Sequence, residues 1–329
     1  MEIHLIGLGK MGFNIAANLL EGGHSVKAFD TNIDLATKLQ EKGGVFFHSV
    51  NELLTSPMAN AEPRIVWLML PAGDITNTVM NECLALLNPE DILIDGGNSK
   101  YTESKINNQK FTEKGIHFFD VGTSGGVSGA RNGACMMIGG NKAIFQTIEP
   151  IFESLCVENG YLFCGEAGSG HYLKMIHNGI EYGMMQAIGE GFNILHHSEY
   201  DYDLEGVAKV FNNGSVIRSW LMELTENLLS EDAALTDIEG VVASSGEGKW
   251  TVEEILRLEL SAPVITQSLL TRYSSKDEEK YGEKVIASLR NQFGGHAMTK
   301  KGSNKCIRFL ELILEQPRLN SICFQKKII

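Results

Sequence analysis

The stretch Gly7-Leu8-Gly9-Lys10-Met11-Gly12 constrains this chain more than any other. It follows an apolar run, Glu2–Ile6, that reads as a buried strand. It opens a helical pattern over Met11–Glu21, which leads into a second strand at Ser25–Asp30. In a strand–turn–helix–strand frame the glycines have separate tasks. They make the tight turn, admit a pyrophosphate close to the backbone and let the helix pack on the strand. The helix start adds free N–H groups and the positive end of its dipole. Asp30 closes the second strand 23 residues after Gly7. A carboxylate there accepts from ribose hydroxyls and repels a 2′-phosphate. Thr31-Asn32 follows, with no arginine to receive that phosphate, so the expected cofactor is NAD and not NADP. Asp30 can also serve as cap for a helix starting near Ile33.

The alternation continues. Arg64–Leu70 is a continuous apolar run, as expected for a parallel sheet covered on both faces. Pro71-Ala72-Gly73 breaks it, and Asp74 is a candidate N-cap. Asp91–Asp95, Ile116–Val121, Cys135–Ile138 and Tyr161–Cys164 read as further strands, with helices at Tyr101–Glu113 and Lys142–Ser154. The chain is therefore expected to begin as a Rossmann-type doubly wound α/β sheet, with ligands at the carboxyl ends of its strands. Three loops fall there: Leu70–Gly73, Gly96–Ser99 and Gly122–Gly126. Leu70 and Asn98 join Gly7, Leu8, Gly9, Lys10, Met11, Gly12 and Asp30 as candidate cofactor contacts. Asn98 and Ser124 can hydrogen-bond a hydroxylated or carboxylated substrate, although Gly, Asn and Ser also make ordinary tight turns.

After Gly165 the alternation stops, and Gly168-Ser169-Gly170 marks a hinge. One long helical pattern runs from His171 to about His197; its glycines suit close helix packing. Further helices are expected at Asp203–Asn212, Ser219–Leu229, Thr251–Leu258, Pro263–Ser275, Gly282–Phe293 and Asn304–Glu315. This gives an α/β dinucleotide-binding domain over 1–166 and an all-α substrate and dimerisation domain over 167–329. In the long helix, Lys174, Asn178 and Glu181 share a face, with His177 at its edge. A lysine whose pKa is lowered by burial can act as general base, and a carboxylate beside it can return a proton. The same spacing also occurs on solvated surface helices. Lys249, Arg272, Arg290 and His296 are further basic candidates, each singly read as a surface residue.

Composition narrows the class. A length of 329 residues allows two domains with a substantial core. The net charge of −13 argues against nucleic acid as a general partner, so an anionic substrate needs a local basic cluster. The six cysteines have no metal-binding or disulfide-framework spacing, and no metal is expected. No run is long and apolar enough for a membrane span. The chain enters its first strand at once, so no signal peptide and a cytoplasmic location are expected.

These motifs together resemble the decarboxylating 6-phosphogluconate dehydrogenases, within the β-hydroxyacid dehydrogenase superfamily. The matching segments are Gly7–Gly12 with Asn14, Asp95-Gly96-Gly97-Asn98-Ser99, Ser124-Gly125-Gly126, Lys174–Tyr182, Gly248-Lys249-Trp250-Thr251, and Arg290 with His296. The similarity runs through nearly the whole chain and is to the short form, whose helical domain is about half that of the long form. Long enzymes usually carry Asn-Arg where Asp30-Thr31 stands here, which favours NAD. The resemblance implies oxidation at C3 of 6-phosphogluconate, loss of C1 as carbon dioxide and protonation to ribulose 5-phosphate, a step of the pentose phosphate pathway. It implies Lys174 as base and later acid at the C3 oxygen, and Glu181 as the proton donor to carbon. Asn98, Ser124, Gly125, Gly126, His177 and Asn178 match binders of the sugar acid. Tyr182, Lys249, Thr251 and Arg272 match binders of the phosphate. Arg290 and His296 match a pair reaching in from a second subunit, so a homodimer or tetramer with shared sites is implied. The segment before Lys249, Ala243–Glu247, departs from the long form by being shorter.

Two other readings compete. A dehydrogenase for a small unphosphorylated 3-hydroxy acid needs Lys174, but neither Glu181 nor the basic cluster. A non-catalytic NAD-binding protein needs none of the Lys174–Asn178–Glu181 face.

Overall fold

A computed structural model describes residues 1–60 and 62–300. They fall into two compact units, Met1–Ser275 and the stretch from Lys276.

The first unit begins with β1 (Glu2–Ile6), α1 (Lys10–Glu21), β2 (Ser25–Phe29), α2 (Leu35–Glu41), β3 (Val45–Phe47) and α3 (Val50–Thr55). It continues through β4 (Ile65–Leu68), α4 (Asp74–Leu86), β5 (Ile92–Asp95), α5 (Tyr101–Thr112), β6 (His117–Ser124) and α6 (Gly126–Asn132). β7 (Ala134–Gly139), α7 (Lys142–Leu155) and β8 (Cys156–Gly165) complete a sheet of order β3-β2-β1-β4-β5-β6-β7-β8. All pairings are parallel except β6 with β7. The doubly wound expectation holds, with the last two strands, β7 and β8, running opposite to the other six.

Strand side chains explain why helices cover both faces. In β4, Ile65 and Trp67 enter one apolar cluster, while Val66 and Leu68 enter the other. β5 divides the same way, Ile92 and Ile94 against Leu93. Each such buried side chain contributes roughly 1.5–3 kcal/mol, so neither face tolerates exposure.

The helical part of this unit comprises α8 (Ser169–His196), α9 (Leu204–Asn212), α10 (Trp220–Glu231), α11 (Gly246–Arg257) and α12 (Pro263–Ser274). Gly168, in the left-handed region at φ +96°, caps α8, and Ser169 and Gly170 lie inside the helix rather than in a hinge. Asp120, buried on β6, accepts from Gly168 N at 2.5 Å and His171 N at 2.7 Å. A carboxylate from the sheet thus satisfies orphan N–H groups at the start of α8. In the second unit α13 (Tyr281–Gly294) ends on Gly295, and the Asn291 amide donates to His296 O at 2.9 Å.

Several boundaries differ from the sequence expectation. β3, α3 and α6 are short and carry too little periodicity to stand out. α11 starts at Gly246, five residues before Thr251, and so takes in Gly248, where a Cβ would overlap the Tyr182 ring. Asp74 is the first residue of α4 and makes no side-chain cap. The helix expected at Asn304–Glu315 lies outside the described residues.

Candidate active site

The glycine turn has the geometry a dinucleotide requires. Gly7 holds φ +99°, and a Cβ on Gly12 would overlap the Gly7 carbonyl, so α1 seats directly on the turn. Asp30 accepts from Leu8 N at 2.6 Å and from Asn32 N at 2.7 Å. Its carboxylate is thereby fixed beside the turn, and it does not cap α2, which begins behind Asp34. Lys10 and Met11 open α1, Gly9 is its N-cap residue, and Leu70 closes against Gly7. The residues present fit NAD, with an acid where the ribose diol would be held.

The substrate wall forms where β5, β6 and α8 meet. β5 delivers Asn98, which sits at φ +54°. Its amide exchanges two bonds with β6: Thr123 N donates at 2.9 Å, and Asn98 Nδ2 donates to Thr123 O at 3.3 Å. β6 delivers Ser124 at its carboxyl end, followed by Gly125 and Gly126, both at positive φ. A Cβ on Gly122 would overlap the Lys174 Cβ, so the strand must lack a side chain where α8 crosses it.

On α8, Lys174 is only 6% exposed. Its Nζ donates to Asn178 Oδ1 at 2.7 Å. His177 Nδ1 meets the same oxygen at 2.9 Å, and His177 Nε2 meets Ser124 Oγ at 3.1 Å. The Asn178 oxygen only accepts, so His177 Nδ1 carries a proton toward it. Glu181 lies 3.8 Å from His177 Nδ1. Burial pushes the Lys174 pKa down, opposed by the charges of Glu181, Glu247 and Cys135. An amine poised in this way can exchange a proton with a hydroxyl.

Next to this wall, Tyr182 is buried, and the Arg272 guanidinium lies 3.4 Å from its ring centroid. The Tyr182 hydroxyl accepts from Ser245 N at 2.9 Å and lies 3.0 Å from Ser245 Oγ. Arg272 also donates to Ala243 O at 2.9 Å, which holds its fork in place.

The structure therefore brings together Asn98, Ser124, Lys174, His177, Asn178 and Glu181, with Tyr182 and Arg272 adjoining. It does not bring in all the candidates. Thr251 is buried, and its hydroxyl is committed to Met175 O at 2.7 Å or Glu247 O at 2.8 Å, so it packs α11 on α8. Lys249 is exposed, 3.8 Å from Glu253. Arg290 and His296 belong to the second unit. Sequence reasoning missed Glu254, a buried carboxylate that receives Tyr101 at 3.0 Å, Tyr172 at 2.9 Å and Arg257 at 2.8 Å. Bonding from Arg257 first, then from the two tyrosines, holds its pKa down to about 2. Its sequence signal, an acid between apolar positions of α11, does not name its partners. No group of three metal-ligating side chains occurs among the described residues.

Known proteins match this arrangement over most of the chain. The NAD binding domain of 6-phosphogluconate dehydrogenase matches residues 2–164, and the C-terminal domain of 6-phosphogluconate dehydrogenase matches residues 170–312. The chain belongs to the 6-phosphogluconate dehydrogenase family. The Bacillus subtilis (strain 168) protein YqeC, a candidate 6-phosphogluconate dehydrogenase by name, is 50% identical over 301 residues, covering 92% of this chain and 100% of its own. An NAD(+)-dependent, decarboxylating 6-phosphogluconate dehydrogenase from Haloferax volcanii is 38% identical, over 92% of this chain and 99% of its own. Among solved structures, Plasmodium falciparum 6-phosphogluconate dehydrogenase superposes with a TM-score of 0.76 at 28% identity, over 95% of this chain and 69% of that one. Mycobacterium tuberculosis 3-hydroxyisobutyrate dehydrogenase, at 22% identity and a TM-score of 0.66, shares the fold.

Proposed function

We infer that the protein catalyses the NAD-dependent oxidative decarboxylation of 6-phosphogluconate to ribulose 5-phosphate and carbon dioxide. The observation that carries this reading is the buried Lys174 bonded to Asn178, with His177, Ser124 and Glu181 around it. The glycine turn and Asp30 would hold NAD, which when bound would supply the hydride acceptor for C3. Lys174 in its neutral form takes the proton from the C3 hydroxyl. The resulting β-keto acid breaks its C1–C2 bond, and the electron pair moves into the C2–C3 bond. Lys174, now protonated, gives its proton to the C3 oxygen and so stabilises the developing enolate. Glu181 then protonates the carbon that lost carbon dioxide, while Lys174 recovers the proton from the C3 oxygen. Asn98, Ser124, His177 and Asn178 hold the hydroxyls and the carboxylate, and Gly125 and Gly126 allow close backbone approach. Arg272 and Tyr182 receive the phosphate, with Lys249 and Thr251 bordering that end.

The domain division that serves this reading is 1–166 for NAD and 167–329 for substrate and dimerisation. A homodimer in which Arg290 and His296 complete the partner's phosphate site is part of the same proposal. We place the enzyme in the cytoplasm, at the oxidative stage of pentose phosphate metabolism. No helix among the described residues is long and apolar enough to cross a membrane.

The test is NAD reduction with 6-phosphogluconate, gluconate and 3-hydroxyisobutyrate. The phosphate-directed Arg272 should make kcat/KM for 6-phosphogluconate higher than for gluconate by at least about tenfold, the size of one charge-assisted bond. Equal values, or a preference for 3-hydroxyisobutyrate, would favour a dehydrogenase for small unphosphorylated acids instead.

A further inference from the structure

α11 runs antiparallel along α8, and its register can be read residue by residue. A Cβ on Gly248 would overlap the Tyr182 ring, Thr251 abuts Gly179 and donates to Met175 O, and Glu254 receives the Tyr172 hydroxyl. Glu247, Thr251 and Glu254 stand four and seven residues apart and so share one face of α11. Glu247 therefore lies one turn beyond Thr251, beside the part of α8 that carries Asn178 and Glu181. It is half-buried, and among the described residues its carboxylate takes no hydrogen bond and no close ion pair.

We propose that Glu247 is a positioning residue of the acid–base site, standing with Glu181 as a second carboxylate toward Lys174 and setting how readily that lysine holds its proton. The proposal rests on Lys174 being the base.

The chemistry gives the second carboxylate a distinct task. Lys174 must be neutral to take the C3 proton and protonated to stabilise the enolate. Burial alone favours the neutral form. Glu181 cannot supply a constant counter-charge, because it must itself be protonated to serve as proton donor, and it is then neutral. Glu247 has no proton-transfer part in this mechanism, which leaves it free to serve as the standing counter-charge. The groups acting on Lys174 are Glu181 from its own helix, Glu247 from α11 and Cys135 from β7. His177 reaches it through Asn178. β6 brings Gly122 and Ser124, which do not titrate, while its Asp120 is held at the start of α8. α12 brings Arg272, which is stacked on Tyr182.

The experiment is the pH profile of kcat/KM for 6-phosphogluconate in the wild type, Glu247→Gln and Glu247→Asp, with Lys174→Met as control. The substrate's own phosphate ionisation is common to all and cancels in the difference. Removing a negative charge near an ammonium lowers its pKa, so the acid limb of Glu247→Gln should move to lower pH. Glu247→Asp should move it back toward wild type. The plateau loss in Glu247→Gln should stay well under the roughly 100-fold that deleting an acid–base group costs. A merely structural role would lower the plateau and leave the limb in place. An unmoved limb, or the same limb in Gln and Asp variants, overturns the proposal, and comparing those two holds even if both lose stability. An inactive Lys174→Met with an unmoved Glu247→Gln limb removes Glu247 alone. An active Lys174→Met removes the base assignment itself, and Glu247 with it.

Discussion

At the residue scale, Lys174 concentrates the conflict between stability and chemistry. It is buried with one neutral hydrogen-bond acceptor, and burial lowers its pKa from an ordinary value of 10.5. A depressed folded-state pKa means that the native state binds fewer protons than the unfolded chain. Stability from this group is therefore full above the unfolded value and is lost as pH falls. Lys174→Met should abolish turnover by about 100–10,000-fold while leaving NAD binding intact. The same change should raise stability at neutral pH by on the order of 1 kcal/mol, with the gain shrinking as pH approaches 10.5. Titrating NAD by fluorescence and melting both proteins across pH checks the two halves separately; a variant keeping more than about a tenth of wild-type kcat contradicts the role. Asp30 governs the other ligand. Its two backbone bonds fix a negative charge beside the glycine turn, so kcat/KM should favour NAD over NADP. Asp30→Ala should narrow that ratio, and an unchanged ratio would remove Asp30 from cofactor choice.

At the element scale, α8 is placed by what the sheet offers it. Asp120 receives two N–H groups at its start, and Gly122 leaves room for Lys174 to cross. Asp120→Ala should cost about 0.5–2 kcal/mol, the usual range for a lost helix cap, and should lower kcat because Lys174 lies within two turns of that end. Chemical denaturation and steady-state assays measure these, and an unchanged midpoint would contradict the cap. The elements legible in the sequence were those with a strong period or chemical marker: β1 with its glycine turn, the apolar β4, and the long α8 with its Lys-Asn-Glu face. The cap itself was not legible, because Asp120 reads only as an acid inside Phe118-Phe119-Asp120-Val121. Thr251 shows a second kind of illegibility. Its motif resembles a phosphate binder, while packing against Gly179 directs its hydroxyl to backbone carbonyls in this structure. Side-chain direction depends on a neighbour distant in sequence, which no local pattern contains.

At the scale of the whole molecule, Arg290 and His296 belong to a unit of their own, so their contribution is tested through assembly. Arg290→Ala should raise KM for 6-phosphogluconate by about tenfold or more, the equivalent of a charge-assisted bond of roughly 1.5–3 kcal/mol. Mixing it with inactive Lys174→Met should restore part of the activity, since one site of a heterodimer would hold both residues intact. No recovery after verified subunit exchange contradicts a shared site. The central claim is that one buried lysine serves both the oxidation and the decarboxylation. It is tested most directly by measuring carbon dioxide released per NADH formed from 6-phosphogluconate. The wild type should give one molecule of each per turnover, and Lys174→Met should lose both together. NADH formation without carbon dioxide, or decarboxylation of 6-phosphogluconate persisting in Lys174→Met, would contradict it.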